Sequence, residues 1–258
     1  MDNQTAYYLY CLARSAVELK LADEGVFLWS ANEMSAVIGE VRRDEFCGPD
    51  AEARLQDLTW LAPRACRHEI VIEHVMSQAP VLPARFATLF RSLGSLDRFL
   101  LDHRQSILNF FEQLGDKREW AVKGLLNRLV ADQSVSCERS VLSPGRDYLE
   151  KKRGDNELRQ KRSRRLDLVY QEAARKLQAH ASGFRERKVW KASDSETPVE
   201  AIVNWAFLVP NSAEPGFHEC IEQLGTAHRA TGVSFVLTGP WPPYSFAPAL
   251  GVPIEAGR

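Results

Sequence analysis

From Ala230 to Ile254 the chain carries no charged residue, a run long enough to span a bilayer as an apolar helix. Yet Pro240, Pro242, Pro243, Pro248 and Pro253 fall inside it, with Gly232, Gly239 and Gly251. Each proline removes a backbone donor and clashes with the preceding helical turn, so no helix runs through this segment and no membrane span is expected. An extended backbone is the remaining solution. It alternates Trp241, Tyr244 and Phe246 with Pro242 and Pro243, so large rings ride on a stiff backbone of low entropy. Such rings either pack on their own domain or offer a partner a pre-organised apolar surface.

The 258-residue sequence as a whole reads as ordinary globular protein, with 33 basic and 34 acidic groups. Its length favours two domains. The near-zero charge balance lacks the field that draws a whole molecule to nucleic acid or anionic membranes. Cys11, Cys47, Cys66, Cys137 and Cys220 form no CxxC pair, which argues for free thiols in a reducing cytoplasm. The first residues show no basic-then-apolar signal pattern.

Periodicity divides the chain near Gly115-Asp116. Tyr7–Leu12, Val26–Trp29 and Met34–Val41 read as strands, and apolar residues from Leu55 to Gln78 recur at helical spacing. Pro63 is expected to kink that helix or start its second half. Pro80–Phe90 is extended in character, and Ser95 is expected to cap one helix reaching Leu114. In the second half, Trp120–Val130, Phe184–Trp190, Val199–Val209 and Val233–Thr238 read as strands. Arg146–Ser182 and Pro215–Arg229 read as helices. The fold class is therefore α+β: an N-terminal α+β domain over 1–115, and a ferredoxin-like βαββαβ domain with a Pro-rich tail over 116–258.

Catalytic signatures are missing from the sequence. No nucleotide-binding glycine motif or nucleophile elbow occurs, and no cofactor is expected. His68 and His74 are six positions apart, about 240° around a helix, so they do not share a metal and read as ordinary exposed side chains. Ser143-Pro144-Gly145-Arg146 could cradle an anion, though a plain turn before a helix explains it better. Lys151, Lys152, Arg153, Arg159, Lys161, Arg162, Arg164 and Arg165 are opposed within their stretch only by Asp155 and Glu157. That basic surface suits an acidic partner. An RNA-binding module is the alternative, but no strand carries the aromatic pattern such a sheet needs. A small-ligand protein or enzyme using an interdomain cleft, with Arg85, Glu119 or His68 as polar groups, is the other competing reading.

Six segments resemble, in order, those of the gas vesicle protein F/L (GvpF/GvpL) family. They are Tyr7-Tyr8-Leu9-Tyr10, Arg64-Ala65-Cys66-Arg67-His68-Glu69, Val81 to Phe90 (with Leu82-Pro83-Ala84-Arg85-Phe86), Glu119-Trp120-Ala121-Val122-Lys123, Gly145-Arg146-Asp147-Tyr148-Leu149, and Thr238 to Phe246. Ala87 and Cys11 depart from it, standing where the family often has glycine. The resemblance implies a non-enzymatic accessory or minor structural protein of gas vesicle assembly, cytoplasmic or on the vesicle. Its implied partners are the small hydrophobic shell protein GvpA and other accessory proteins. On that reading Trp241, Pro242, Pro243, Tyr244 and Phe246 are expected to bind the shell protein, with Arg85 and Phe86 beside a sheet edge.

Overall fold

The computed structural model describes residues 5–14, 17–19, 25–31, 33–131, 147–189 and 197–251, without the side chains of 147–159, 161 and 162. Two compact units result: Met1–Asp116 with Trp241–Arg258, and Lys117–Pro240.

The first unit is built on β1 (Thr5–Ala13), β2 (Val26–Ala31), β3 (Met34–Arg42), β4 (Val81–Pro83) and β5 (Leu89–Phe90). They form a five-stranded antiparallel sheet in the order β2-β3-β1-β4, with β5 also on β1. The β1–β3 register shifts between Leu9 and Cys11. A bulge adds one residue and reverses which face later side chains take. Tyr8, Tyr10, Cys11 and Ala13 accordingly share one core cluster with Val71, Ile72 and Val75. Leu9 and Leu12 instead line a cavity with Phe99.

Three helices precede β4: α1 (Arg43–Phe46), α2 (Ala51–Gln56) and α3 (Leu58–Met76). Asp57 caps α3, accepting from the Thr59 amide at 2.9 Å. Pro63 does not start a helical half, since α3 begins at Leu58 and runs through it. Pro63 and Thr59 are exposed, so water can take the carbonyl whose rung the proline removes. The apolar stretch after β5 makes α4 (Leu93–Asp102) and α5 (Arg104–Leu114) rather than one helix, because His103 leaves helical geometry at φ −104°, ψ 5°. Ser92, not Ser95, is the N-cap of α4. Ser95 is its capping-box partner, each amide bonding the other's hydroxyl at 3.2 Å.

In the second unit β6 (Lys117–Asn127), α6 (Asp147–Gln178), β7 (Gly183–Glu186), β8 (Val199–Pro210), α7 (Glu214–His228) and β9 (Val233–Trp241) follow in order. The sheet order is β7-β8-β6-β9. Alternation puts Trp120 and Val122 of β6 with Trp205, Phe207 and Val209 of β8 in one core, closed by Tyr170, Ala173 and Leu177 of α6 and Phe217 and Ile221 of α7. Gly124 is required there. A Cβ would lie 2.5 Å from Val203 Cγ2 and 2.7 Å from Tyr170 Cε1.

One expected grouping changes. The Pro-rich tail, assigned from sequence to the second domain, is grouped with the first unit from Trp241 onward. Pro242 and Pro243 are buried and Tyr244 packs on the Tyr8–Val71 cluster, so apolar burial within the first unit holds the tail.

Candidate functional site

His68 is the best-built polar group of the first unit. It sits on the inner face of α3 and is 2% exposed, contrary to its expected surface position. The histidine faces Tyr8 and Tyr10 of β1 and Phe86 of the following loop, with ring centroids 5.6, 5.8 and 5.8 Å away. Its Nε2 lies 3.1 Å from the Ala84 carbonyl, which can only accept, so Nε2 carries a proton and donates. Nδ1 is then the acceptor for the Tyr8 hydroxyl at 2.9 Å, and Tyr8 Oη in turn accepts from the Ala87 amide at 3.1 Å. A neutral histidine thus completes a directional chain between α3, β1 and the Ala84–Thr88 loop. Burial lowers the His68 pKa to about 4, outweighing the Ala84 hydrogen bond that favours the charged form. Burial likewise raises the Tyr8 phenol well above its usual range.

The loop held by this chain is fixed at both ends. Ala84 N–H donates to the Tyr10 carbonyl and Leu9 N–H to the Thr88 carbonyl, each at 2.9 Å. Inside it, the Thr88 hydroxyl donates to the Arg85 carbonyl at 2.7 Å. Ala87 takes φ +62°, the left-handed conformation that glycine adopts without cost. The outcome is a rigid loop with Phe86 turned onto the core cluster and Arg85 exposed.

The tail is anchored beside it. Tyr244 Oη donates to Glu69 Oε1 at 2.9 Å. Burial, then the neighbouring carboxylate, holds that phenol in its neutral form, and burial raises the Glu69 pKa. Further along, His103 Nε2 lies 3.2 Å from the Gly251 carbonyl, to which it donates. Between these anchors a cavity of about 220 Å³ is walled by Leu9, Leu12, Leu82 and Phe99 and by tail residues.

Of the residues expected to bind a partner, the structure therefore brings Arg85, Phe86 and Tyr244 into one unit. Trp241 is 38% exposed, whereas Phe246 is half-buried. On α6, Arg164 and Arg165 are exposed. The side chains of Lys151, Lys152, Arg153, Arg159, Lys161 and Arg162, and the whole Ser143–Arg146 segment, lie outside the described residues. Glu119, grouped from sequence with Arg85 and His68, belongs to the second unit, where it is fully buried and ion-paired with Arg187. Cys11, Cys47, Cys66 and Cys220 are free thiols. Among the described residues no cluster of three or more His, Cys, Asp or Glu side chains is placed to hold a metal, and no helix is long and apolar enough to cross a membrane.

Tyr8, Glu69 and His103 were not singled out by sequence as working residues. Tyr8 and Glu69 do lie in the segments that resembled a known family, but nothing local marks a tyrosine in a strand as the partner of a histidine 60 residues away.

Two solved structures share this architecture. The gas vesicle protein GvpF of an Anabaena species superposes with a TM-score of 0.72 at 17% identity, over 95% of this chain and 96% of that one. GvpF of Microcystis aeruginosa gives 0.66 at 18% identity, over 94% and 99%. The fold is thus that of gas vesicle proteins. In sequence, gas vesicle protein L of a Streptomyces species is 30% identical over 217 residues, covering 83% of this chain and 80% of its own. Gas vesicle protein L1 of Halobacterium salinarum is 24% identical over 266 residues, covering 95% and 91%. The profile described as gas vesicle synthesis protein GvpL/GvpF matches residues 6–248. The chain belongs to the GvpL/GvpF family.

Proposed function

We propose that this protein is an accessory or minor structural component of gas vesicle assembly, which binds the small hydrophobic shell protein GvpA and assists its entry into the wall. The observation that carries this reading is the family match across residues 6–248. Physical chemistry supplies the rationale. A subunit destined for a gas-tight wall exposes apolar surface before assembly and aggregates unless covered. The proposed cover is the aromatic–proline segment, with Trp241 as its most exposed ring and Pro242, Pro243, Tyr244 and Phe246 setting its path. Arg85 and Phe86 lie on the fixed loop of the same unit.

The second unit is read as a ferredoxin-like domain, a reading supported by the order β6-α6-β7-β8-α7-β9 and the sheet order β7-β8-β6-β9. Its basic stretch Lys151–Arg165 is assigned to acidic accessory partners. The protein acts on this reading by binding, not by catalysis, in the cytoplasm and at the vesicle.

Trp241→Ser is the direct test. Loss of a central aromatic anchor weakens shell-protein binding by about tenfold or more, while circular dichroism and cooperative melting stay those of the parent. Unchanged binding by the folded variant removes Trp241 from the interface.

A further inference from the structure

The cavity of the first unit, lined in part by Arg85 and Tyr244 of the proposed shell-protein surface, carries a second chemistry. At about 220 Å³ it is half as large again as an engineered apolar cavity of about 150 Å³ that takes benzene, so by proportion it admits about nine non-hydrogen atoms. Leu9, Leu12, Leu82 and Phe99 give it hydrocarbon walls, and Ala247 and Leu250 of the tail complete its apolar lining. Among the described residues Arg85 is the only charged one on its lining, and it is exposed, so it stands at the rim. Among the described residues no carboxylate pairs with the Arg85 guanidinium. Its backbone, by contrast, is immobilised, because the Arg85 carbonyl accepts from both the Thr88 amide at 3.1 Å and the Thr88 hydroxyl at 2.7 Å. An apolar hole with one unspent, pre-positioned guanidinium at its mouth matches an apolar chain that ends in an anion.

We propose that this cavity is a binding site for a medium-chain carboxylate, with the alkyl chain among Leu9, Leu12, Leu82 and Phe99 and the carboxylate on Arg85. The size selects a free monocarboxylate of about seven to nine carbons over a diacyl lipid, whose chains far exceed it. The tail then serves as the wall that seals the alkyl chain from water. The cavity shares Arg85 and Tyr244 with the proposed shell-protein surface, but its test uses no shell protein, so the two readings fail separately.

Titration calorimetry of the full chain with octanoate, octan-1-ol, octylammonium and butanoate tests it. Octanoate is expected to bind saturably below its micellar range with a negative heat-capacity change, the mark of apolar burial. Octylammonium and butanoate are expected to bind at least tenfold more weakly. Arg85→Gln should cost octanoate about tenfold and leave octanol unchanged, since only the charge-assisted bond is lost. Ala247→Trp and Leu250→Trp fill the cavity from two positions of the tail, and either one that keeps cooperative melting should abolish both ligands. Absent saturable octanoate binding overturns the proposal. So does equal affinity for octanoate and octylammonium, or binding that survives a folded cavity-filling variant.

Discussion

Acid should weaken the first unit through His68, by an amount the structure sets. The folded ring is neutral, with both nitrogens committed and a pKa near about 4, whereas in the unfolded chain it titrates near about 6.5. Since the folded pKa is the lower one, the unfolded state binds the proton first. The contribution is therefore complete above about pH 6.5, shrinks as pH falls, and levels off below about pH 4. One pKa unit is worth about 1.4 kcal/mol, so the loss between pH 7 and pH 5 is about 2 kcal/mol and its ceiling about 3 kcal/mol. Carboxylates titrate in the same range, so the useful quantity is the difference from a His68→Gln variant, in which they are unchanged. Urea unfolding at pH 7 and pH 5, with hydrogen exchange of the Leu9 and Ala87 amides as local reporters, measures it. The parent should lose about 2 kcal/mol more than the variant. An equal loss in both would refute a buried neutral His68, and with it the proton order assigned to the Tyr8–His68–Ala84 chain.

Three further expectations follow from packing. Tyr8→Phe leaves His68 Nδ1 and the Ala87 amide without their shared partner, and should cost about 1–3 kcal/mol in urea unfolding. Gly124→Ala places a methyl against Val203 and Tyr170 and should cost about 1–3 kcal/mol through overpacking. Ala87→Gly relieves a left-handed alanine at φ +62°. Strain relief of about 1–2 kcal/mol less an unfolded-state entropy cost of about 0.4–1 kcal/mol leaves a gain of about 0.5–1 kcal/mol. A lower melting temperature for Ala87→Gly would contradict that balance.

The helices α3, α6 and α7 were legible from helical spacing, a direct record of one buried face. β1 and β3 were legible instead as short apolar runs, which the fold buries on both faces. The bulge at Tyr10 was not legible, since Tyr7–Leu12 is apolar on both sides and shows no change of phase. His68 was misread for a related reason. Its burial depends on Tyr8 and Ala84, distant in sequence, and an isolated histidine between Arg67 and Glu69 looks like surface. The tail is uncharged and not helical, as expected, but it is not extended past Trp241: the Tyr244 amide turns back to the Pro242 carbonyl at 2.7 Å and the Phe246 amide to the Pro243 carbonyl at 3.2 Å, and composition does not say which unit such a segment packs on. Tyr244 decides that through Glu69, 175 residues earlier. Arg85 was chosen from its segment. Its role as the charged residue on the lining of an apolar cavity came only with the fold.

The most direct test of the assembly role is co-expression of this chain with the small shell protein, followed by affinity capture at low and at high salt. The account predicts that the shell protein stays soluble and co-elutes at both, because apolar contact dominates and is not screened by ions. Recovery of the chain without shell protein at either salt concentration would contradict it.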